Sequence, residues 1–260
     1  MKITIFSSNQ PRHLHLVKKL SLICEEVFFI SEVKTIFTGI IQDKISKSDV
    51  MEAYFSNVSK SEKNIFGEIN FLPPNVKVLS IKSGDLSLLN KIQLNQALHS
   101  DLYVVFGASY IKGWLIDFLL MKKAINIHMG LSPYYRGAAC NFWALYDNNP
   151  NYVGATIHLL SKGLDSGDML CHCVPKPKKT NNIFDFTMRS VLVAHEGLAD
   201  LIRDKSIQNI KPIKQDKTYE IRYSRHQDFN DEIATEFLQR NMKINFGALS
   251  YPELLNPIIK

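Results

Sequence analysis

Residues 124–137 read AINIHMGLSPYYRG, an apolar run that carries Asn126 and His128 two residues apart and then breaks into a Gly- and Pro-containing loop. In a strand, residues i and i+2 point to the same side, so a strand over 124–128 sets an amide and an imidazole side by side at its end. A core strand gains nothing from such a pair. A strand that ends in a crevice gains a hydrogen-bond donor beside a titratable ring. A second polar cluster, KGLDSGDML at 162–170, follows the apolar run TIHLL at 156–160 and brings Asp165 and Asp168. One of these carboxylates can orient the His128 ring and raise its pKa, while the Asn126 amide suits a developing oxyanion. Together they describe acyl transfer without a covalent intermediate. The chain has no GxSxG elbow. Cys140, in GAACNFW at the expected start of a helix, is the cysteine nearest this loop and could be activated there as a nucleophile, but no cysteine-enzyme signature surrounds it.

Such groups need elements that end together. Strands are expected over Ile3–Ser7, Val27–Ser31, Val76–Ile81, Leu102–Phe106, Ala124–His128, Thr156–Leu160 and Met169–Val174. Helix-like spacing falls between them at Leu14–Cys24, Leu86–Leu98 (with Ser83 and Asp85 as its cap), Trp114–Leu120 and Asn141–Tyr146, and again at Ile183–Ile202. Alternating β and α with near-continuous apolar strands predicts an α/β fold with a doubly wound, mainly parallel sheet. In such a sheet ligands bind beyond the carboxyl ends of the strands, where Asn126 and His128 fall. Residues 44–72 read as a helical excursion outside the sheet, and CVPKPKKTNN at 173–182 as a connector. We expect a catalytic domain over 1–205 and a small C-terminal appendage over 206–260, with a strand-like piece at Tyr219–Tyr223 and a helix-like one at Glu232–Leu238.

Apolar residues make up 45% and charged residues 22% of the 260, the balance of a globular protein with a sizeable core. The apolar stretch after Met1 is too short for a signal peptide, and no run approaches the ~20 residues that span a bilayer. A cytoplasmic protein without a membrane partner is expected. Four cysteines fit that compartment as reduced thiols. Cys171, His172 and Cys173 lack the second, separated pair of a structural zinc site, so no metal is expected. The net charge of +6 comes largely from late lysines and arginines and suggests an anionic partner.

The stretch INIHMGLSPYYRGAACNFWALYDNNPNYVGATIHLLSKGLDSGDML resembles the folate-dependent formyltransferases, which include the methionyl-tRNA, glycinamide ribonucleotide and sugar-nucleotide enzymes. The shared pattern is Asn-x-His, a loop ending Tyr-Arg-Gly, a Gly-Ala-Thr-Ile-His strand and Leu-Asp-x-Gly-Asp, with FGASYIKG upstream. The resemblance is close over 101–174, and the β/α order from residue 1 agrees. It implies a Rossmann-like formyltransferase core and places Asn126, His128 and Asp165 as the catalytic set. It implies that 10-formyltetrahydrofolate is the formyl donor, as a co-substrate held by Ser109, Tyr110, Ile111 and Lys112 and by Ser161, Lys162, Gly163 and Leu164, largely through main-chain groups. The chain departs from the pattern after the His, where many members have Pro and this one has Met129 and Gly130. The residues after 205 are too few for the C-terminal barrel with which the tRNA enzymes grip RNA.

The acceptor expected is a small primary amine carrying a phosphate or diphosphate, foremost a nucleotide-linked amino sugar for a surface glycan. Asn9 and Arg12, in SSNQPRHLH at a helix that starts near Pro11, could cradle the phosphate, although the same residues also fit an ordinary helix cap. Tyr134, Tyr135 and Arg136 could pack on a sugar or base. Glycinamide ribonucleotide and methionyl-tRNA remain alternative acceptors, as do a formyltetrahydrofolate hydrolase and a non-catalytic nucleotide- or RNA-binding module; a homodimer is left open.

Overall fold

The computed structural model describes residues 1–37, 48–176, 182–240, 242, 244, 245 and 249, and the backbone of 258–259. Strand β1 (Lys2–Ser8) leads through α1 (Pro11–Ser21) to β2 (Glu26–Val33), and α2 (Asp49–Phe66) leads to β3 (Val76–Lys82). Then follow β4 (Leu102–Phe106), α3 (Gly113–Met121), β5 (Ile125–His128), the short β6 (Tyr135–Gly137) and α4 (Cys140–Tyr146). Strands β7 (Ala155–Leu159) and β8 (Met169–Cys173), helix α5 (Ile183–Arg203), β9 (Arg222–Ser224), α6 (Asp231–Gln239) and β10 (Ile258–Ile259) complete the order. Eight strands form one sheet in the order β10-β8-β7-β5-β4-β1-β2-β3. All neighbours are parallel except β7, which runs antiparallel to both β5 and β8. The doubly wound, mainly parallel sheet predicted from the strand pattern is the sheet found.

Alternation along the strands sends side chains to two cores. Ile3 and Ile5 of β1 and Ile125 and Ile127 of β5 pack with Leu16, Val17 and Leu20 of α1 and Val191, Ala194 and Leu198 of α5. Phe6, Tyr103 and Val105 face the other way, onto Leu115, Ile116 and Leu119 of α3. Asn126 and His128 alternate with Ile125 and Ile127, so the amide and the imidazole sit on the α3 side while the isoleucines secure the strand from behind. A third cluster joins Leu131, Tyr135 and Cys140 to Phe142 and Trp143 of α4, with Phe186 and Phe237.

Two expectations need correction. The leucine spacing over Leu86–Leu98 does not make a helix but two single turns, Leu86–Leu88 and Asn95–His99. Between them Asn90 Oδ1 accepts from the main-chain N–H of Ile92 (2.9 Å) and Gln93 (3.0 Å), and Gln93 Oε1 accepts from that of Asn90 (2.8 Å). These side-chain bonds offer the backbone an alternative to the helical ladder, and Asp85 makes no capping bond. In the piece at Tyr219–Tyr223, Lys217–Tyr219 is a turn, and the strand is Arg222–Ser224, paired in parallel with β6. The excursion over 44–72 does contain a helix, α2, capped by Ser48, whose side chain accepts from the N–H of Met51. Residues 44–47, and 177–181 of the connector, lie outside the described residues.

Candidate active site

The site is assembled from β5, the loop after β7 and the chain around residue 215. Asp165 follows β7 with a left-handed backbone (φ 46°), which turns its carboxylate back toward β5. There its Oδ2 meets His128 Nδ1 at 3.3 Å, and its Oδ1 accepts from the Asn126 amide at 3.2 Å. Asp165 therefore touches both of the other residues singled out in the sequence. Gln215 donates to the main-chain carbonyls of both Asp165 (2.8 Å) and Gly167 (2.9 Å), which fixes the loop from outside.

His158 is a fourth member that sequence reasoning passed over. It pairs with Asn126 across the antiparallel β5/β7 ladder and so shares its face. Its Nδ1 lies 2.8 Å from the Leu159 carbonyl, which places the proton there and leaves Nε2 to accept from the Asn126 amide at 3.0 Å. Burial pushes the His158 pKa down to about 4, so the ring is a neutral acceptor. The signal was present in the sequence: His158 stands in the TIHLL run, and antiparallel pairing puts it opposite Asn126. Thr156, opposite His128, donates to the Gly130 carbonyl (2.7 Å) and accepts from the Ser132 N–H (2.8 Å), pinning the loop that leaves β5.

Burial opposes charge on His128, yet the Asp165 carboxylate and, after it, Cys140 together more than offset it, and the pKa stands well above the ordinary 6.5. Asp165 mirrors this: burial raises its pKa, the His128 charge outweighs that, and the net direction is below 3.8. The pair is an imidazolium and a carboxylate at neutral pH. On its other edge His128 Nε2 approaches the Tyr135 carbonyl (3.3 Å) and Cys140 Sγ (3.5 Å). A Cβ on Gly130 would fall 2.7 Å from the same nitrogen, so the absence of a side chain there lets the backbone pass directly over the ring.

The two loops expected to hold a pterin face each other across the ends of β4 and β7. Ser109 is anchored by Glu32, a buried carboxylate at the end of β2 that accepts from the Ser109 N–H (2.5 Å) and hydroxyl (2.7 Å) and from the Gly84 N–H (2.7 Å). The polar residue ending the apolar run FFISEV was the sequence signal for it. The Tyr110 hydroxyl donates to the Lys162 carbonyl at 2.6 Å, joining the loops at their rim, where Tyr110 is 54% exposed. Ile111 is buried, Leu164 half exposed and Lys112 precedes α3; the Ser161 hydroxyl donates to the Gly163 carbonyl (2.9 Å) inside its own loop.

The expected acceptor residues are placed differently. The start of α1 already holds an anion, and it belongs to the chain: Glu62 of α2 accepts from the Arg12 main-chain N–H (3.0 Å) and from its guanidinium (2.9 Å). Asn9 bonds through its amide to both main-chain groups of Lys34 (2.8 and 2.9 Å). Tyr135 is fully buried and bonded to Asp147 and Asn149, and Tyr134 packs against Tyr152. These side chains serve packing rather than an open surface. Arg136 lines a cleft of about 380 Å³ with Gly163, Leu164, Ser166, Lys217, Glu220 and Tyr223. Cys171 and Cys173 point into the core, whereas His172 reaches the Ser132 carbonyl (2.7 Å) on the opposite face, so the trio does not converge. No described helix is long and apolar enough to cross a membrane.

Comparison with known proteins agrees with this fold. A formyl transferase family model matches residues 1–202. A methionyl-tRNA formyltransferase from Caldicellulosiruptor saccharolyticus is 35% identical over 173 residues, 62% of this chain and 53% of its own length. The chain spans only about half the length of the curated relatives it matches. Among solved structures, glycinamide ribonucleotide transformylase 1 from Symbiobacterium toebii superposes with a TM-score of 0.52 at 17% identity, covering 83% of this chain and 94% of that one. An N-formyltransferase from Helicobacter canadensis in complex with folinic acid and dTDP-3-aminofucose gives 0.51 at 14% identity, covering 91% and 79%. Both likenesses concern the fold.

Proposed function

The chain belongs to the formyl transferase family, and from that premise we propose that it moves the formyl group of 10-formyltetrahydrofolate onto a primary amine. The observation that carries this reading is the contact of Asp165 with both Asn126 and His128 at the carboxyl end of β5. The folate, held between loops 109–112 and 161–164, supplies a formyl carbon activated on N10. The residues do the rest. His128, kept cationic by Asp165 and fixed at both ring nitrogens, sets a positive charge beside the formyl oxygen as a neutral amine attacks. Asn126 turns one amide N–H from Asp165 to the same oxygen while the other stays on His158. The Asp165 carboxylate draws off the proton that the amine loses, by way of water, and N10 is protonated as its bond to the formyl carbon breaks.

The acceptor we favour is a nucleotide-linked amino sugar used in surface glycan synthesis, since the chain is basic and its cleft is ringed by cationic and aromatic side chains. A methionyl-tRNA acceptor is the second reading, favoured by the identity with the Caldicellulosiruptor relative. The test is to supply the protein with 10-formyltetrahydrofolate alone and with a panel of amines that includes amino-sugar nucleotides, glycinamide ribonucleotide and methionyl-tRNA. Release of tetrahydrofolate that depends on one amine is the expected result and names the acceptor. Release without any amine would identify a hydrolase, and no release at all would end the formyl-transfer reading.

A further inference from the structure

We propose that the cleft between the 163–166 loop and the 217–223 segment is an anion subsite in which Lys217 and Arg136 take a phosphate or carboxylate and Tyr223 supplies a ring face. The proposal deepens the formyl-transfer reading and rests on it for the identity of the two substrates. The start of α1, the place sequence reasoning would choose for an anion, is neutralised from within by Glu62. The chain's late positive charge must therefore act elsewhere.

The cleft has the chemistry for it. Arg136 is only 7% exposed; one of its guanidinium nitrogens donates to Glu220 (2.9 Å), another to the Leu164 carbonyl (3.4 Å), and Nε is buried without a partner. Its guanidinium also lies 5.9 Å from the centre of the Tyr223 ring. Glu220 cancels one of the two cations, and among the described residues Lys217 is paired with no carboxylate, so the cleft keeps a net positive charge. Leu164 and Ser166 flank Asp165 in the chain, which puts this charge next to the site of transfer. A volume near 380 Å³ accommodates a ring with one charged substituent. The positions of Lys217 and Tyr223 depend on clamps: Gln215 on the Asp165 and Gly167 carbonyls, and a bidentate Arg222–Asp147 pair (2.6 and 2.8 Å).

Two substrates carry the required anion, the amine through a phosphate and the folate through its glutamate carboxylates. The full-length chain is titrated with dTDP, with UDP, and with tetrahydrofolate as its mono- and triglutamate, in the wild type and in Lys217→Ala, Tyr223→Ala and Lys214→Ala. The expected result is that Lys217→Ala weakens either a nucleoside diphosphate or the triglutamate at least tenfold, with Tyr223→Ala weakening the same ligand. Lys214→Ala, which removes the same charge from outside the cleft, should change nothing. The ligand that weakens identifies the source. If Lys217→Ala weakens none of them, or Lys214→Ala weakens them equally, the subsite does not exist. Failure of the formyl-transfer reading is distinguishable, because it appears in the wild type as the absence of amine-dependent tetrahydrofolate release and not as a difference between Lys217→Ala and Lys214→Ala.

Discussion

Cys140 Sγ lies 3.5 Å from His128 Nε2, on the edge of the ring away from Asp165. With the Tyr135 carbonyl it forms the second half of a cradle whose first half is the carboxylate. The thiol also donates to the Gly137 carbonyl at 3.4 Å, so it is placed to hold the ring. Cys140→Ser keeps a polar acceptor at this edge and should leave kcat within about threefold. Cys140→Val replaces it with methyl groups and should lower kcat about tenfold, with KM for both substrates little changed, as expected for an interaction used mainly in the transition state. Equal kcat for the two variants would show that the sulfur does not position the ring.

His128→Ala, Asp165→Ala and Asn126→Asp should each lower kcat by at least ~10², the range for an oxyanion donor or a positioned acid–base group. Asn126→Asp also sets a second carboxylate beside Asp165. Near-wild-type turnover by a folded variant at any of the three positions would remove that residue from the mechanism.

The His128–Asp165 pair makes a prediction in pH. Its pKa directions are upward from 6.5 for His128 and downward from 3.8 for Asp165. The His128 contribution to stability is full below 6.5 and is lost as pH rises through the raised folded value. The Asp165 contribution is full above 3.8 and is lost as pH falls through the depressed one. In Asp165→Asn the largest cause opposing burial is gone, and the His128 pKa should fall from its raised value. The alkaline limb of the kcat/KM profile should then move to lower pH relative to the wild type. A limb that stays in place in this variant would mean that another group governs it.

Arg12 and Glu62 make a stability prediction where a binding role was expected. Glu62 is buried and Arg12 side chain is 28% exposed, so Glu62→Gln should cost about 1–3 kcal/mol, below the ~3–5 of breaking a fully buried pair. Thermal melting should show it, and Arg12→Ala should lower Tm in the same way while leaving KM for the amine unchanged. A specific rise in that KM, with Tm intact, would restore the helix start as the acceptor site.

Gly137 carries the last prediction. Its φ of 90° is left-handed, and a Cβ there would overlap the Ser224 carbonyl of β9. Gly137→Ala should lift β9 from β6 and expose residues 213–224 to limited proteolysis, with a lower Tm. A variant as resistant as the wild type would show that the β6–β9 contact is not what seats this segment.

The sequence by itself determined the strand order's raw material and the catalytic trio. Apolar runs of strand length marked where β1 to β5, β7 and β8 lie, and most plainly β1, β2 and β4, because burial on both faces leaves no other composition for a parallel strand inside the sheet. The two-residue period placed Asn126 and His128 on one face, and Leu-Asp-x-Gly-Asp marked Asp165. Local chemistry already misled at Leu86–Leu98, where Asn90 and Gln93 compete for the backbone. What only the tertiary structure decided were the partners, since ion pairs and cradles join residues far apart in the chain. Glu62 meets Arg12 because α2 packs on α1, and His158 meets Asn126 because β7 runs antiparallel to β5. Cys140 reaches His128 because the loop over Gly130 doubles back, and Lys217 reaches Arg136 because β9 pairs with β6. Periodicity reports which face a residue occupies; it carries no information on which distant charge will be folded against that face, and that choice settled which anion each cation holds.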